Sequence, residues 1–386
     1  MKTIFIFFLL LSLKSYATVD THAHLFMKKG LTWAFNGDFF DPIQASSWKD
    51  GLSSQANPKT LNESGASIVV ISLYANPFFT WDMRDSIRTQ IKQLHQFLEQ
   101  NPQWVLAKSS SEAQTALKKN KSVLILSLEG VEGILENDQD IEEFVIQGGI
   151  RIVTLLHLMD DKHGGAAFLK GFRVWANPIA FIQSFFRPRY HDSVPVNPRG
   201  LTPIGIKLLK KLIAKNVWID LSHATEASVK DILPFIKKAQ HPLLFTHTTL
   251  RKFSPGERSI SESLLYKVKE TNGIVGLLVS EERMLDGIIQ TQSCADSFAA
   301  TVIQWNYLVS IIGPSHATLG SDINGSVHGL APPQCSTDTP LDQTGFFHIG
   351  HHKYLWPALK KRGAHLPKNL QEFDDTFLEA WSKVKP

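Results

Sequence analysis

Eight apolar runs of strand length punctuate the chain, at residues 18–24, 67–74, 122–128, 150–156, 217–221, 243–246, 274–279 and 317–320. Each is short and mostly apolar, the pattern of a buried strand in a parallel sheet. Between them run segments with apolar residues three and four positions apart, such as 84–99 and 203–215, the period of an amphipathic helix. Buried strands alternating with such helices predict a parallel sheet with crossover helices. Eight of them predict an α/β chain folded as a (β/α)8 TIM barrel. No repeat, low-complexity tract or Gly/Ser linker breaks the alternation, so residues 18–386 read as one domain.

One connection departs from the pattern. Residues 164–199 carry Phe168, Phe172, Trp175, Phe181, Phe185, Phe186 and Tyr190, interleaved with Arg173, Arg187 and Arg189. The stretch is too aromatic for a disordered linker, and long connections in compact folds are commonly functional. It is expected to form either a lid or rim over a site, or packing on the outside of the barrel.

Composition narrows the class. With 386 residues, 43% hydrophobic and 20% charged, the chain can bury a large core. Residues 1–17 have an early Lys2, an apolar stretch at 4–13 and small residues Ser15 and Ala17 at the end, the layout of a secretory signal peptide. This predicts export to the periplasm or the outside of the cell, with cleavage near Ala17. No segment reaches the roughly 20 apolar residues of a transmembrane helix. The formal charge of +4 falls to +2 once Lys2 and Lys14 are removed, which argues against a nucleic-acid partner. The two cysteines, Cys294 and Cys335, leave one disulfide open and lack the spacing of a thiolate zinc site.

The candidate chemistry stands at the ends of the apolar runs. The first ends in His22 and His24, alternate residues that point the same way along a strand and can share one metal. Glu129 follows the third run, His157 the fourth, His223 the fifth, His247 the sixth and Asp322 the eighth. Active sites of TIM barrels lie at the carboxyl ends of several strands, and imidazole with carboxylate is a ligand set that suits zinc. Glu132 competes with Glu129. Glu129 is preferred because it ends the apolar run, whereas Glu132 lies a turn further on. His95, His163, His191, His348, His351 and His352 read as ordinary structural or surface histidines.

Several stretches carry a resemblance: DTHAH, SLEG, GLTPIGIKLLKKL with WIDLSH, LLFTH with ERSI, and LGSDING, followed more weakly by LKKRGAHLPKNL. In this order they resemble the successive motifs of the membrane dipeptidase family of zinc metallopeptidases. The resemblance implies hydrolysis of small dipeptides at two zinc ions bridged by Glu129, with a metal-bridging hydroxide as nucleophile. It further implies that His22 and His24 bind one zinc, and that His223 and His247 bind the other. His157 would contact the substrate carbonyl, Arg258 would hold the terminal carboxylate, and Asp322 would be the catalytic aspartate. The chain departs from the family pattern at His24 and Asn324, each in place of an aspartate, and in its longer aromatic connection. A homodimer is compatible with the resemblance. Other readings stay open: a metal-dependent amidase, lactonase or β-lactam hydrolase on the same fold, a TatD-like nuclease sharing the DTHAHL opening, or an exported binding protein without turnover.

Overall fold

A computed structural model describes residues 18–27, 39–77, 80–170, 177–186, 189–284, 297–333 and 338–385. The strands are β1 (Val19–Ala23), β2 (Ile68–Leu73), β3 (Trp104–Leu106), β4 (Ser122–Glu129), β5 (Ile150–Thr154), β6 (Tyr190–His191), β7 (Val194–Pro195), β8 (Trp218–Asp220), β9 (Leu244–Thr248), β10 (Ile274–Leu277) and β11 (Ala317–Leu319). Eight of these run parallel in the order β2, β1, β11, β10, β9, β8, β5, β4, and the pairing of β2 with β4 closes the barrel. All eight lie within or at the edge of the apolar runs read from the sequence.

β4 shows why the runs lack alternation. Every residue from Ser122 to Glu129 is buried, because one face fills the barrel and the other meets the surrounding helices. The flanking helices follow the expected period. Met83–Gln100 buries Ile87, Leu94 and Phe97, and Pro203–Ile213 buries Leu208, Leu209 and Leu212. Their amino ends are capped by the side chains of Asp82 and Thr202, which accept from the backbone N–H of Asp85 and Gly205. Inside the barrel, glycine is required at Gly276 and Gly320. A Cβ there would stand 1.9 Å and 2.3 Å from the carbonyl oxygen of Thr246.

Two features were not expected. β3, only three residues long, pairs with the first half of β4 from Trp104↔Ser122 to Leu106↔Leu124, and β5 takes over that edge from Leu126↔Ile150. Its length is below what a periodicity can register. The long aromatic connection contains a small antiparallel hairpin, β6 with β7, after the helix Pro178–Phe186. Residues 1–17, Cys294 and Cys335 lie outside the described residues. Among the described residues no helix is long and apolar enough to cross a membrane.

Candidate metal centre and substrate cavity

The carboxyl ends of β1, β4, β8, β9 and β11 meet around the carboxylate of Glu129, which is 2% exposed. Its Oε1 lies 3.5 Å from His22 Nε2, 3.3 Å from His223 Nε2 and 3.4 Å from His247 Nε2. Its Oε2 lies 3.2 Å from His24 Nε2 and 3.4 Å from His157 Nε2. The histidines also come in pairs, with Nε2 atoms 3.2 Å apart for His22 and His24 and 3.0 Å apart for His223 and His247. Asp322 Oδ1 stands 3.3 Å from His24 Nε2. All the strand-end residues singled out in the sequence are therefore in one place. Glu132 is not among them; it lies further along the loop with its side chain 42% exposed.

Hydrogen bonds behind the histidines decide which nitrogen faces the carboxylate. Asp220, buried on β8, accepts from the hydroxyls of Thr154 at 2.7 Å and Thr246 at 2.6 Å. Having spent its one proton on Asp220, the Thr246 hydroxyl can only accept from His22 Nδ1 at 3.0 Å and His247 Nδ1 at 3.1 Å. His24 Nδ1 faces the Ser72 carbonyl at 3.1 Å, which also only accepts. Three imidazoles are thus fixed with Nδ1 protonated and Nε2 turned toward Glu129, and in His22 and His247 that Nε2 presents a lone pair. Lone pairs crowded on a buried carboxylate repel unless a cation stands among them. Glu129 Oε1 has no hydrogen-bond partner, as a metal ligand would not need one. The donor set therefore fits divalent metal, and two overlapping groups of ligand atoms, His22–His24–Glu129 and Glu129–His223–His247, are each compact enough to hold an ion.

Without a cation, burial opposes charge on His24, but the hydrogen bonds of Asp322 and Glu129 outweigh it and raise its pKa to about 10, so its Nε2 then carries a proton that a bound metal would displace. Burial lowers His157 to about 4 and holds His223 and His247 well below the ordinary range, so these three are neutral. His223 and Asp322 sit in the left-handed backbone region, with φ of 65° and 52°. That conformation turns each side chain back over the barrel mouth, and His and Asp tolerate it better than most residues. Asp20 supports the same corner by accepting from the Ser321 N–H at 3.0 Å and the Ser321 hydroxyl at 2.6 Å.

A cavity of about 470 Å³ opens above these groups. Glu129, His157 and Asp322 line it on the barrel side, and Lys170, Arg258 and Arg283 also reach its walls. Arg258 donates to the His247 carbonyl at 2.9 Å. Burial lowers its pKa to about 10, while Glu129, Asp220 and Asp322 favour its charged form. Glu257 and Glu262, its neighbours in sequence, are engaged elsewhere, with backbone N–H groups and with the Tyr307 hydroxyl. The long connection divides its labour. Leu169 and Lys170 join the cavity wall, whereas Ile179, Ile182 and Phe186 on the following helix are exposed. Asp220, Thr246, Tyr74, Lys170 and Arg283 were not singled out in the sequence. A buried polar residue inside an otherwise apolar run, as at Asp220 and Thr246, was the available signal.

The sequence model of the membrane dipeptidase family, peptidase family M19, matches residues 12–334. An uncharacterised protein in the pqqA 5′ region of Klebsiella pneumoniae is 29% identical over 153 residues, 38% of this chain and 54% of that protein. The dipeptidase ataJ of Aspergillus terreus is 24% identical over 244 residues, 62% of this chain and 56% of that protein. The chain thus spans about half the length of these curated relatives. Among solved structures, a metallopeptidase from Rhodobacter sphaeroides, liganded with a phosphinate mimic of the dipeptide L-Ala-D-Ala, superposes with a TM-score of 0.67. It is 16% identical, and the match covers 96% of this chain and 99% of that one. With most of its length matched by one family and the barrel of that family's structures, this chain belongs to the membrane dipeptidase family, peptidase family M19.

Proposed function

We propose that the protein is an exported zinc-dependent dipeptidase, cutting the single amide bond of short peptides with a free terminal carboxylate. The observation that carries this reading is the pair of histidine couples whose Nε2 atoms crowd around one buried carboxylate, Glu129. His22 and His24 would hold one ion, His223 and His247 the other, with Glu129 shared. When bound, two such cations lower the pKa of a water to near neutrality and polarise a carbonyl oxygen. Imidazole with carboxylate suits zinc, and His24 in place of an aspartate leaves the first ion a neutral nitrogen ligand. Export rests on the sequence pattern of residues 1–17.

The chain's own groups supply the rest. Asp322, at the edge of the centre and open to the cavity, accepts a proton from the attacking water and returns it to the leaving amine. His157, neutral because it is buried, can donate a hydrogen bond to the oxygen that gains charge at the carbonyl. Arg258 presents a planar pair of donors in the same cavity, a match for a carboxylate held close to the scissile bond. That proximity limits the substrate to a short peptide.

The test uses Arg258. Arg258→Met should lose about 2 kcal/mol or more in kcat/KM for free dipeptides, the scale of a charge-assisted hydrogen bond removed from its partner. Dipeptide amides should be poor substrates of the parent and little changed in the variant. Equal ratios for free and amidated dipeptides in both proteins would turn the reading toward a general amidase.

A further inference from the structure

Glu132 and His163 have no part in the centre just described, yet the structure brings them together with Asp161. The three ligand atoms lie within 4.8 Å of one another. His163 Nδ1 stands 3.3 Å from Glu132 Oε2 and 3.3 Å from Asp161 Oδ1. Its side chain is 1% exposed, and neither Nδ1 nor Glu132 Oε2 has a hydrogen-bond partner of acceptable geometry. A buried imidazole nitrogen aimed between two carboxylate oxygens without a proper hydrogen bond to either is poorly explained as a plain ion pair. We propose that Glu132, Asp161 and His163 bind a further divalent transition-metal cation, separate from the Glu129 centre and independent of the function read from it.

The surroundings are built for one position. Asp161 Oδ1 is held by the backbone N–H of His163 at 2.6 Å and of Gly164 at 3.2 Å. The His163 carbonyl accepts from the Thr202 N–H at 2.9 Å, which pins it to the start of the helix Pro203–Ile213. Lys162 is the nearest competing cation. Its ammonium is paired with Glu136 and reaches only the opposite oxygen of Glu132, Oε1, at 4.0 Å. Arg199 is turned away to Asp160 and to the Asp161 carbonyl. Three carboxylates, Glu132, Glu136 and Asp161, against one ammonium leave the charge a divalent ion would balance. One nitrogen and two oxygen ligands favour zinc, manganese or their neighbours over calcium or magnesium.

The position gives the ion a purpose. Glu132 follows Glu129 by three residues and Asp161 follows His157 by four, so the same two loops carry both sets. A small cavity of about 50 Å³, lined by Glu129, Glu132, His157 and Asp161, lies between them. A cation here ties the loop after β4 to the loop after β5 and holds Glu129 and His157 at their spacing.

Equilibrium dialysis of the full chain against zinc, with metal counted per protein, tests this. Glu132→Gln and His163→Gln should each bind one zinc equivalent fewer than the parent. Glu129→Gln should lower the count too, but a Glu129→Gln/Glu132→Gln double variant should fall by one equivalent more. The single-variant difference does not depend on how many ions the Glu129 centre takes, so failure of either assignment is read separately. Equal zinc counts in the parent and Glu132→Gln would overturn the site. Glu132 is partly exposed, so that variant carries the test if His163→Gln does not fold.

Discussion

Two buried carboxylates, Glu129 at the strand ends and Glu257 beneath the long connection, meet the same desolvation with opposite results. Burial works against the charge on Glu129, yet the imidazoles of His157, His22 and His223 hold it well below the usual range. Glu257 accepts from the backbone N–H of Phe168 at 2.9 Å and of Asn197 at 2.9 Å, beside the carboxylate of Glu226. Burial wins there and lifts it from 4.5 to about 7. Groups that can carry or gather positive charge keep an acid ionised; backbone dipoles beside a like charge do not. The first arrangement gathers cations, and the second ties both ends of the long connection to the loop after β9.

The largest expected effect comes from breaking the first carboxylate. Glu129→Gln should lower kcat/KM for dipeptides by about a thousandfold or more, because both proposed ions lose their shared ligand. Metal analysis of the purified variant should show the loss, and full metal content with normal turnover would remove Glu129 from the centre. Asp322→Asn should lower kcat by about 10²–10⁴-fold while the metal stays bound, since an amide cannot take the proton. Near-parental kcat in that variant would show that the proton goes elsewhere.

Smaller changes sharpen the contrast. Thr246→Val removes the acceptor that orients His22 and His247, and zinc affinity should fall about 10–100-fold with kcat at saturating zinc largely kept. Unchanged affinity in a competition with a chelator would mean the imidazoles are held by packing alone. For Glu257 the sign follows from its raised pKa. The folded state binds the extra proton between pH 4.5 and about 7, so the parent should lose stability as pH rises through that window, by up to about 3 kcal/mol. Urea midpoints of Glu257→Gln should be flatter over the same range, and parallel curves for the two proteins would show that this carboxyl does not carry the dependence.

The barrel and the residues around Glu129 were legible because both are written locally. A strand buried on two faces is largely an apolar run, as β4 is, and a candidate ligand stands at or just past the end of that run, as Glu129 and His247 do. β3 escaped because three residues carry no period, and the β6–β7 hairpin because its pairing depends on a turn rather than on hydrophobicity. The tertiary structure alone decided which nitrogen each histidine presents, because that follows from Thr246 and Asp220 on two other strands. It also decided that Glu132 meets His163 and Asp161 rather than Glu129, since contacts between loops distant in sequence leave no pattern in either one. Sequence set the strand ends and the residue types standing on them. Closure of the sheet set their partners, because hydrogen bonds and charge interactions act over a few ångströms of space and not along the chain.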